Sequence, residues 1–277
     1  MISISNITKK FGDFTAVDNL SMSVKSGEVL GFLGPNGAGK STTMKMITGF
    51  MKPTEGTIKV KGMNVETNSI ECKKLIGYLP EGAPLYGDMT PINMLKFVAY
   101  IRGMDSQEFK TALDIVVIKT EITDVINQPI DTLSKGYKRR VGLAQALIHD
   151  PEILILDEPT NDLDIQTLSV LEDFLEDFKG CVVVVSHDRY FLDRTIDRIF
   201  NFENGTLRRY EGNYSRFLEQ KIFEEKNNEK KERNKIVSES ENNNEPAINL
   251  KSKNSKRRLS FKEIRELKEI DLKLPLL

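Results

Sequence analysis

Residues 29–49, VLGFLGPNGAGKSTTMKMITG, decide the fold of this chain. They contain a short apolar run, a glycine-rich segment with the spacing GxxxxGK[ST], and a helical pattern. Glycines let backbone N–H groups converge on phosphate oxygens, and the N-terminus of a following helix adds the positive end of its dipole. The stretch therefore predicts a strand, a phosphate-binding loop and a helix, in that order.

The residues of this loop are predicted to bind a nucleoside triphosphate. Lys40 can reach the β- and γ-phosphates, and the hydroxyl of Ser41 can ligate magnesium. A chance match to the pattern in a chain of this length has a probability of about 1%, so a purely structural explanation is weak. The predicted ATP-binding residues of the loop are Gly34, Pro35, Asn36, Gly37, Ala38, Gly39, Lys40, Ser41 and Thr42.

The composition allows one main domain and excludes several classes of protein. Among 277 residues, 39% are hydrophobic, which is enough for one substantial core. The net charge of -1 gives no global reason to expect nucleic acid as a partner, and we expect no direct sequence-specific nucleic-acid binding. The strongest apolar runs, at 152–156 and 181–185, are far shorter than the roughly 20 residues that span a bilayer. Cys72 and Cys181 have neither paired nor metal-ligand spacing, and nothing directs export, so the cytosol is predicted.

The order of the patterns predicts a mixed α/β domain followed by a tail. The apolar runs at 153–156 and 182–185 lack alternation, which is typical of central strands of a parallel sheet covered on both faces. In the region 84–150, helices are predicted, the first of them capped by Thr90 with Pro91 at its first position. Further β-rich runs occur at 2–8, 20–24, 29–33 and 57–61. The tail divides into a charged linker at 217–259, predicted to be disordered, and a short terminal helix at 260–277.

Two carboxylates and one histidine are predicted to carry the chemistry. The run ILILDE ends a buried strand with Asp157, predicted to hold the metal, and Glu158, predicted to polarise the attacking water. Alone, such a pair is more often an exposed strand end, and the phosphate loop upstream favours catalysis. His187 follows another central strand, at the carboxyl end where open α/β sheets bind ligands. The predicted catalytic residues are thus Glu158, His187 and Lys40.

The segment LSKGY at 133–137, followed by KRRVGLAQAL, resembles the signature of ATP-binding cassette (ABC) ATPases. Lys135 and Tyr137 depart from the commonest form, LSGGQ. In that family a serine and a glycine at a helix N-terminus contact the γ-phosphate of ATP bound to the opposite subunit. The resemblance therefore implies that Ser134 and Gly136 bind ATP across a head-to-tail homodimer.

The family resemblance also implies a fold and further site residues. The expected fold is a P-loop NTPase with a mixed sheet core, an N-terminal β subdomain and an inserted helical subdomain at about 84–150, all within a domain at 1–216. Phe11 matches the aromatic residue that stacks on adenine, and NDLD at 161–164 resembles the D-loop of the dimer interface. Glu81, in IGYLPEG, replaces the usual glutamine of the Q-loop and adds negative charge beside the triphosphate.

The two halves of the chain resemble different branches of this family. Residues 1–156 are similar to the ATP-binding subunits of multidrug or gliding-type exporters, in GFLGPNGAGKSTTMKMITGFMKPTEGTI, IGYLPEGAPLYGDMT and LSKGYKRRVGLAQAL. Residues 158–277 are similar to the second cassette and tail of ABC-F proteins of the Uup type, in NDLDIQTLSVLEDFLEDFKG, VVSHDRYFLDRTIDRIFNFENG, YEGNYSRFLEQK and LSFKEIRELKEI. This mixture indicates a hybrid gene.

Three functions are compatible with the two resemblances. The first is a magnesium-dependent ATPase subunit of an exporter, peripheral at the inner face of the cell membrane, whose separate transmembrane permease binds at residues 82–105 through Leu85, Tyr86, Met89 and Met94. The second is a ribosome-associated translation factor of the ABC-F type. The third is a hybrid that performs neither task. ATP and Mg²⁺ are the cofactors expected in the first two.

Overall fold

The strands of the chain form two separate sheets, and the helices lie mainly between strands of the second sheet. The structure, a computed structural model, describes residues 1–82, 84–161, 163, 165–203, 206–224 and 226–227. The strands are β1 (Ile2–Phe11), β2 (Phe14–Val24), β3 (Val29–Leu33), β4 (Glu55–Val60), β5 (Met63–Asn64), β6 (Ile76–Leu79), β7 (Ile153–Asp157), β8 (Cys181–Val185), β9 (Arg198–Glu203) and β10 (Thr206–Glu211). The helices are α1 (Lys40–Ile47), α2 (Ser69–Leu75), α3 (Pro91–Ile101), α4 (Ser106–Lys119), α5 (Lys135–Leu147), α6 (Ile165–Asp177) and α7 (Arg189–Thr195).

The first sheet is antiparallel, with the strand order β2-β1-β4-β5. Ile2 pairs with Val24 on one side and with Val60 on the other, and all three side chains are buried. The sequence predicts only the second half of β2, because residues 14–19 carry little apolar alternation. They become a strand by pairing with β1 in a hairpin.

The second sheet is mixed, with the strand order β10-β9-β3-β8-β7-β6. Its strands are parallel except for β10, which runs antiparallel to β9. Every residue of β7 and β8 is buried, which confirms the two central strands expected from their uninterrupted apolar runs. The carboxyl ends of parallel strands meet at one edge, so the segments after β3, β7 and β8 lie together.

The region between β6 and β7 is largely helical. It contains α3, α4 and α5, with two 3-10 turns at Thr123–Val125 and Ile130–Thr132. Thr90 caps α3 by accepting a hydrogen bond from the Asn93 N–H at 3.4 Å, and Pro91 occupies the first helical position, as predicted. The limits of a helical subdomain at 84–150 remain a prediction.

The described chain continues as a helix past residue 216, the predicted end of the ATP-binding domain, and that boundary remains a prediction. Residues 214–224 are helical, and Phe217 is buried with its ring 4.9 Å from that of Tyr210. The first compact unit of the chain extends to residue 225. The predicted terminal helix, and the predicted linker at residue 225 and beyond residue 227, lie outside the described residues. None of the helices in the described ranges is long and apolar enough to cross a membrane.

Candidate active site

The phosphate loop connects β3 to α1 and depends on glycine at specific positions. Gly37 and Gly39 have φ angles of 83° and 90°, a region that L-residues with side chains rarely adopt. At Gly39 a Cβ atom would also lie 2.4 Å from the backbone oxygen of Ala16, in the neighbouring strand β2. The close approach of the two backbones therefore requires glycine at this position.

Lys40, the first residue of α1, lies within the loop. Its Nζ donates hydrogen bonds to the backbone oxygens of Gly34 at 2.7 Å and Pro35 at 3.0 Å. Burial lowers the pKa of Lys40, while the charges of Glu158 and Asp157 oppose that shift. The arrangement puts a positive charge where the loop can surround an anion.

Ser41 and Asp157 are brought together across the sheet edge. The hydroxyl of Ser41 lies 3.5 Å from Oδ1 of Asp157, the last residue of β7. Burial raises the pKa of Asp157, and the hydrogen bond from Ser41 partly offsets this. An alcohol and a carboxylate are the hard oxygen donors that Mg²⁺ prefers, so this pair fits the expected metal. In the described part of the chain, no group of three or more His, Cys, Asp or Glu side chains could hold a metal ion by itself.

Glu158 has an unusual backbone and a buried side chain. Its φ is +48°, in the left-handed region, and its N–H donates to the Val185 backbone oxygen at 2.8 Å. One carboxylate oxygen, Oε1, lies 3.3 Å from Nε2 of His187, whereas Oε2 is buried without a hydrogen-bond partner among the described residues. Burial raises the pKa of Glu158, and the nearby His187 lowers it. A carboxylate in this position, beside the phosphate loop and His187, is a candidate to accept a proton from an attacking water.

A cavity of about 580 Å³ opens between the phosphate loop and Glu158, and Asp157 is not among the residues that line it. Ten predicted site residues line it: Phe11, Asn36, Gly37, Gly39, Lys40, Ser41, Thr42, Glu81, Glu158 and His187. Four lining residues were not predicted: Phe14, Ala16, Asn161 as a nucleotide contact, and Val185. Gly34 and Pro35 instead face a neighbouring cavity of about 320 Å³, and Ala38 lines neither.

Two exposed aromatic residues lie at the mouth of the larger cavity. Phe11 and Phe14 are directly opposite each other in the β1–β2 hairpin, with exposed fractions of 47% and 62%. The sequence singles out Phe11 by family resemblance and overlooks Phe14. Their spacing in FGDF was an available signal, because a tight hairpin puts both rings beside the same opening.

Glu81 reaches the cavity from the segment after β6. The side-chain amide of Asn161 donates to its Oε1 at 3.5 Å. An amide donor thus faces the extra negative charge that a carboxylate introduces at this position. Of the predicted D-loop, residues 161 and 163 are described, and residues 162 and 164 lie outside the described ranges.

The signature residues lie away from this cavity. Ser134 is exposed and caps α5 by accepting a hydrogen bond from the Tyr137 N–H at 3.3 Å, and Gly136 is buried in the first turn. Neither residue lines the cavity formed by the phosphate loop of the same chain. Their predicted contact with ATP therefore requires a second chain.

The fold and the site define a class of protein. A mixed sheet with a glycine-rich loop after β3, and with acidic residues after β7, is the architecture of the phosphate-loop NTPases. A family model described as "ABC transporter" matches residues 17–161, more than half of the chain. The chain belongs to this family, as one of its ATPases.

Relatives within the family carry different names. YhcH of Bacillus subtilis, an uncharacterized ABC transporter ATP-binding protein, is 36% identical over 212 residues, covering 75% of this chain and 68% of its own length. The energy-dependent translational throttle protein EttA of Haemophilus influenzae is 34% identical over 235 residues, covering 80% of this chain but only 38% of its own. A solved dimeric structure of the ATP-binding cassette MJ0796, in a post-hydrolysis state bound to ADP and Pi, has 28% identity and a TM-score of 0.66. It covers 76% of this chain and 98% of its own.

Proposed function

We propose that this chain is the ATP-hydrolysing subunit of an ABC transporter, working as a homodimer with separate membrane subunits. The carrying observation is that the Glu158 carboxylate, with Oε1 3.3 Å from His187, lines the same cavity as the phosphate-loop lysine. The MJ0796 cassette, solved as a dimer with ADP and Pi, supports both hydrolysis and dimerisation. The proposed location is cytoplasmic, at the inner face of the cell membrane.

In the proposed reaction the phosphate loop binds ATP, and Phe11 or Phe14 stacks on adenine. Lys40 exchanges its bonds to loop carbonyls for bonds to phosphate oxygens. Glu158 accepts a proton from the attacking water, and His187, 3.3 Å from its carboxylate, orients the water or contacts the γ-phosphate. Magnesium bound at Ser41 and Asp157 would neutralise charge on the phosphate oxygens.

The dimer is tested by mixing two inactive variants. Ser134→Arg removes the signature contact and Lys40→Ala disables the phosphate loop, so each homodimer is expected to be inactive. A mixed dimer has one site with an intact loop and an intact signature, so an equimolar mixture should recover about a quarter of wild-type activity. In the control mixtures, Ser134→Arg is combined with a Ser134→Arg/Glu158→Gln chain, and Lys40→Ala with a Lys40→Ala/Glu158→Gln chain. Neither control mixture contains a complete site. An active monomer by sedimentation would contradict the dimer.

The structure divides the residues predicted to contact a membrane partner into buried and exposed ones. Met94 is only 2% exposed, so its predicted contact with a partner is wrong, because this side of α3 packs into the core. Leu85 and Met89 are also packed against that core. Tyr86, also predicted to contact the partner, is exposed. Together with the exposed residues Phe97, Tyr100 and Ile101, it forms what we call the α3 surface.

The aromatic side chains of the α3 surface support the proposal that a protein partner binds there. The rings of Tyr86 and Phe97 lie 5.9 Å apart, and Tyr100 is 80% exposed. A cavity of about 770 Å³ adjoins the end of α3, between α4 and the residues after α5. Exposed aromatic side chains beside a cavity of this size are typical of an interaction site.

The alternative partner is the ribosome, which the similarity to EttA over 80% of this chain favours. Photo-crosslinkers at positions 86, 97 and 100 in native membranes, beside ribosome co-sedimentation with the Glu158→Gln form and ATP, compare the two. A crosslinker at Phe50, 79% exposed outside the α3 surface, is the matched control. A membrane protein captured from the α3 surface alone supports the transporter. Ribosome association without such a crosslink favours the translation factor, and a chain that does not fold supports the non-functional hybrid.

A further inference from the structure

Arg139, on the second turn of α5, donates hydrogen bonds to four backbone carbonyls at the active site. Three of them are consecutive, at residues 157–159, and the fourth belongs to Pro80. Its Nη1 donates to the oxygen of Pro80 at 3.1 Å, and its Nε donates to Pro159 at 3.3 Å. Its Nη2 donates to Asp157 at 3.1 Å and to Glu158 at 2.5 Å. The planar guanidinium, with five N–H donors in a fixed arrangement, is the side chain that can satisfy such a set of acceptors.

These contacts surround Glu158, a residue with a strained backbone conformation. Glu158 has a φ of +48°, a conformation that costs free energy for a residue with a Cβ and persists only where its surroundings enforce it. The Val185 oxygen holds the Glu158 N–H, and Arg139 holds the carbonyls on both sides of Glu158. The direction of the Glu158 side chain is therefore fixed by one strand contact and one arginine.

Arg139 also joins segments that have different proposed tasks. The N-cap of its helix is Ser134, proposed to contact ATP bound to the facing chain. Pro80 immediately precedes Glu81, which lines the nucleotide cavity of the same chain. A shift of α5 would move the guanidinium and, through it, the backbone at Glu158.

The neighbouring Arg140, in the same helix, makes contacts only away from the nucleotide cavity. It is buried, donates to Glu121 Oε2 at 2.9 Å and to Thr167 Oγ1 at 3.2 Å, and lines no part of the nucleotide cavity. It ties α5 to the end of α4 and to α6. Arg140 therefore provides a matched control for the loss of a buried guanidinium.

We propose that Arg139 is a positioning residue for ATP hydrolysis, which acts through Glu158 and couples the orientation of that carboxylate to helix α5. The inference rests on the proposed function, in which Glu158 accepts the proton of the attacking water. Arg139 itself does not touch the reacting atoms. Its removal should affect the chemical step and leave the binding of ATP by the phosphate loop intact.

The test is a double-mutant cycle on the full chain. The four proteins are wild type, Arg139→Met, Glu158→Gln and the double variant, each assayed for kcat, KM for ATP and single-turnover phosphate release. Misplacement of a catalytic group by about 1 Å typically costs 100-fold, so we expect kcat of Arg139→Met to fall about 10- to 100-fold with KM unchanged within about two-fold. In the Glu158→Gln background the same substitution should cost less than about two-fold, because the group through which it acts is gone.

Controls separate this role from a general loss of stability. Arg140→Met should lower the melting temperature at least as much as Arg139→Met while keeping kcat within about three-fold of wild type. Arg139→Lys keeps the positive charge but loses the planar guanidinium with its several N–H donors. Its kcat should therefore lie between those of wild type and Arg139→Met. It replaces Arg139→Met in the cycle if the latter does not fold.

Two results would overturn the proposal by itself: an equal loss from Arg139→Met in both backgrounds, or a rise in KM without a fall in kcat. Absence of ATP hydrolysis by the wild type, or full activity of Glu158→Gln, would instead overturn the proposed function and this inference with it. The cycle thus distinguishes failure of the coupling from failure of the underlying reaction.

Discussion

The phosphate loop and the turn at 157–159, which we call the catalytic turn, both need left-handed backbone but obtain it differently. In the loop, φ is positive at glycines, and at Gly39 a side chain would collide with the backbone of strand β2. In the catalytic turn, φ is positive at Glu158, where no glycine could supply the carboxylate. The loop is therefore specified by its own residues, and the turn by contacts from β8 and α5.

The difference shows how a residue with a strained backbone, which we propose to be catalytic, is held in place. A glycine loop carries its conformational freedom in the chain itself, so its geometry is recognisable from a short motif. A glutamate with φ of +48° needs outside partners, and those are Val185 and Arg139, distant in sequence. Such partners leave no local pattern.

The largest effects should separate the tasks of the two regions. Glu158→Gln removes only the proton acceptor, so kcat should fall about 100- to 10,000-fold while ATP binding is retained. Lys40→Ala should weaken binding itself, because the loop loses its buried cation. Titration with a fluorescent ATP analogue and a phosphate-release assay on both variants measure the two quantities. Undiminished turnover by Glu158→Gln would remove it from the catalytic role.

Two glycines of the loop allow the backbone clash to be measured separately. Gly37→Ala introduces a Cβ with no atom within 4 Å, at φ of 83°, so only strain of about 1–2 kcal/mol is expected. Gly39→Ala has similar strain and adds the clash with Ala16, so its loss of ATP affinity should exceed that of Gly37→Ala by at least about ten-fold. Calorimetric titration and thermal unfolding compare the pair. Equal losses would contradict the close-packing explanation.

A smaller effect is expected on the pH dependence of turnover. Burial raises the pKa of Glu158, and the reaction needs its deprotonated form, so kcat should fall as the pH decreases through that raised pKa. The acid limb should therefore lie above the usual glutamate value of about 4.3. The residual turnover of Glu158→Gln should lack this limb. If the limb persists there, another group, such as the buried Asp157, controls it.

The two halves of the chain, which resemble different branches of the family, contribute neighbouring strands to the same sheet. Strand β3, in the half that resembles exporters, pairs with β8 and β9, in the half that resembles ABC-F proteins. The sequence identifies these strands by their apolar runs. It does not give their order, because strand order depends on which edges meet during folding.

At α3 the sequence alone did not separate buried from exposed apolar side chains. Periodicity shows that α3 has apolar residues, but Met94 and Phe97 are three positions apart and have opposite fates: Met94 is buried, and Phe97 is 39% exposed. A helix that is apolar on more than one side does not reveal which side meets the core. Packing against α5 and the neighbouring helices decides this.

The sequence by itself determined the central strands and the family, and it singled out the phosphate loop, Asp157 and Glu158 as candidates for the site, because each depends on neighbouring residues or on a motif. Only the tertiary structure revealed Phe14, Asn161 and Arg139 as neighbours of the site. Each of these belongs to a different segment, and proximity between segments depends on chain folding over tens of residues. Arg139 is the clearest case, since its partners are carbonyl oxygens, which every residue has and no sequence pattern marks.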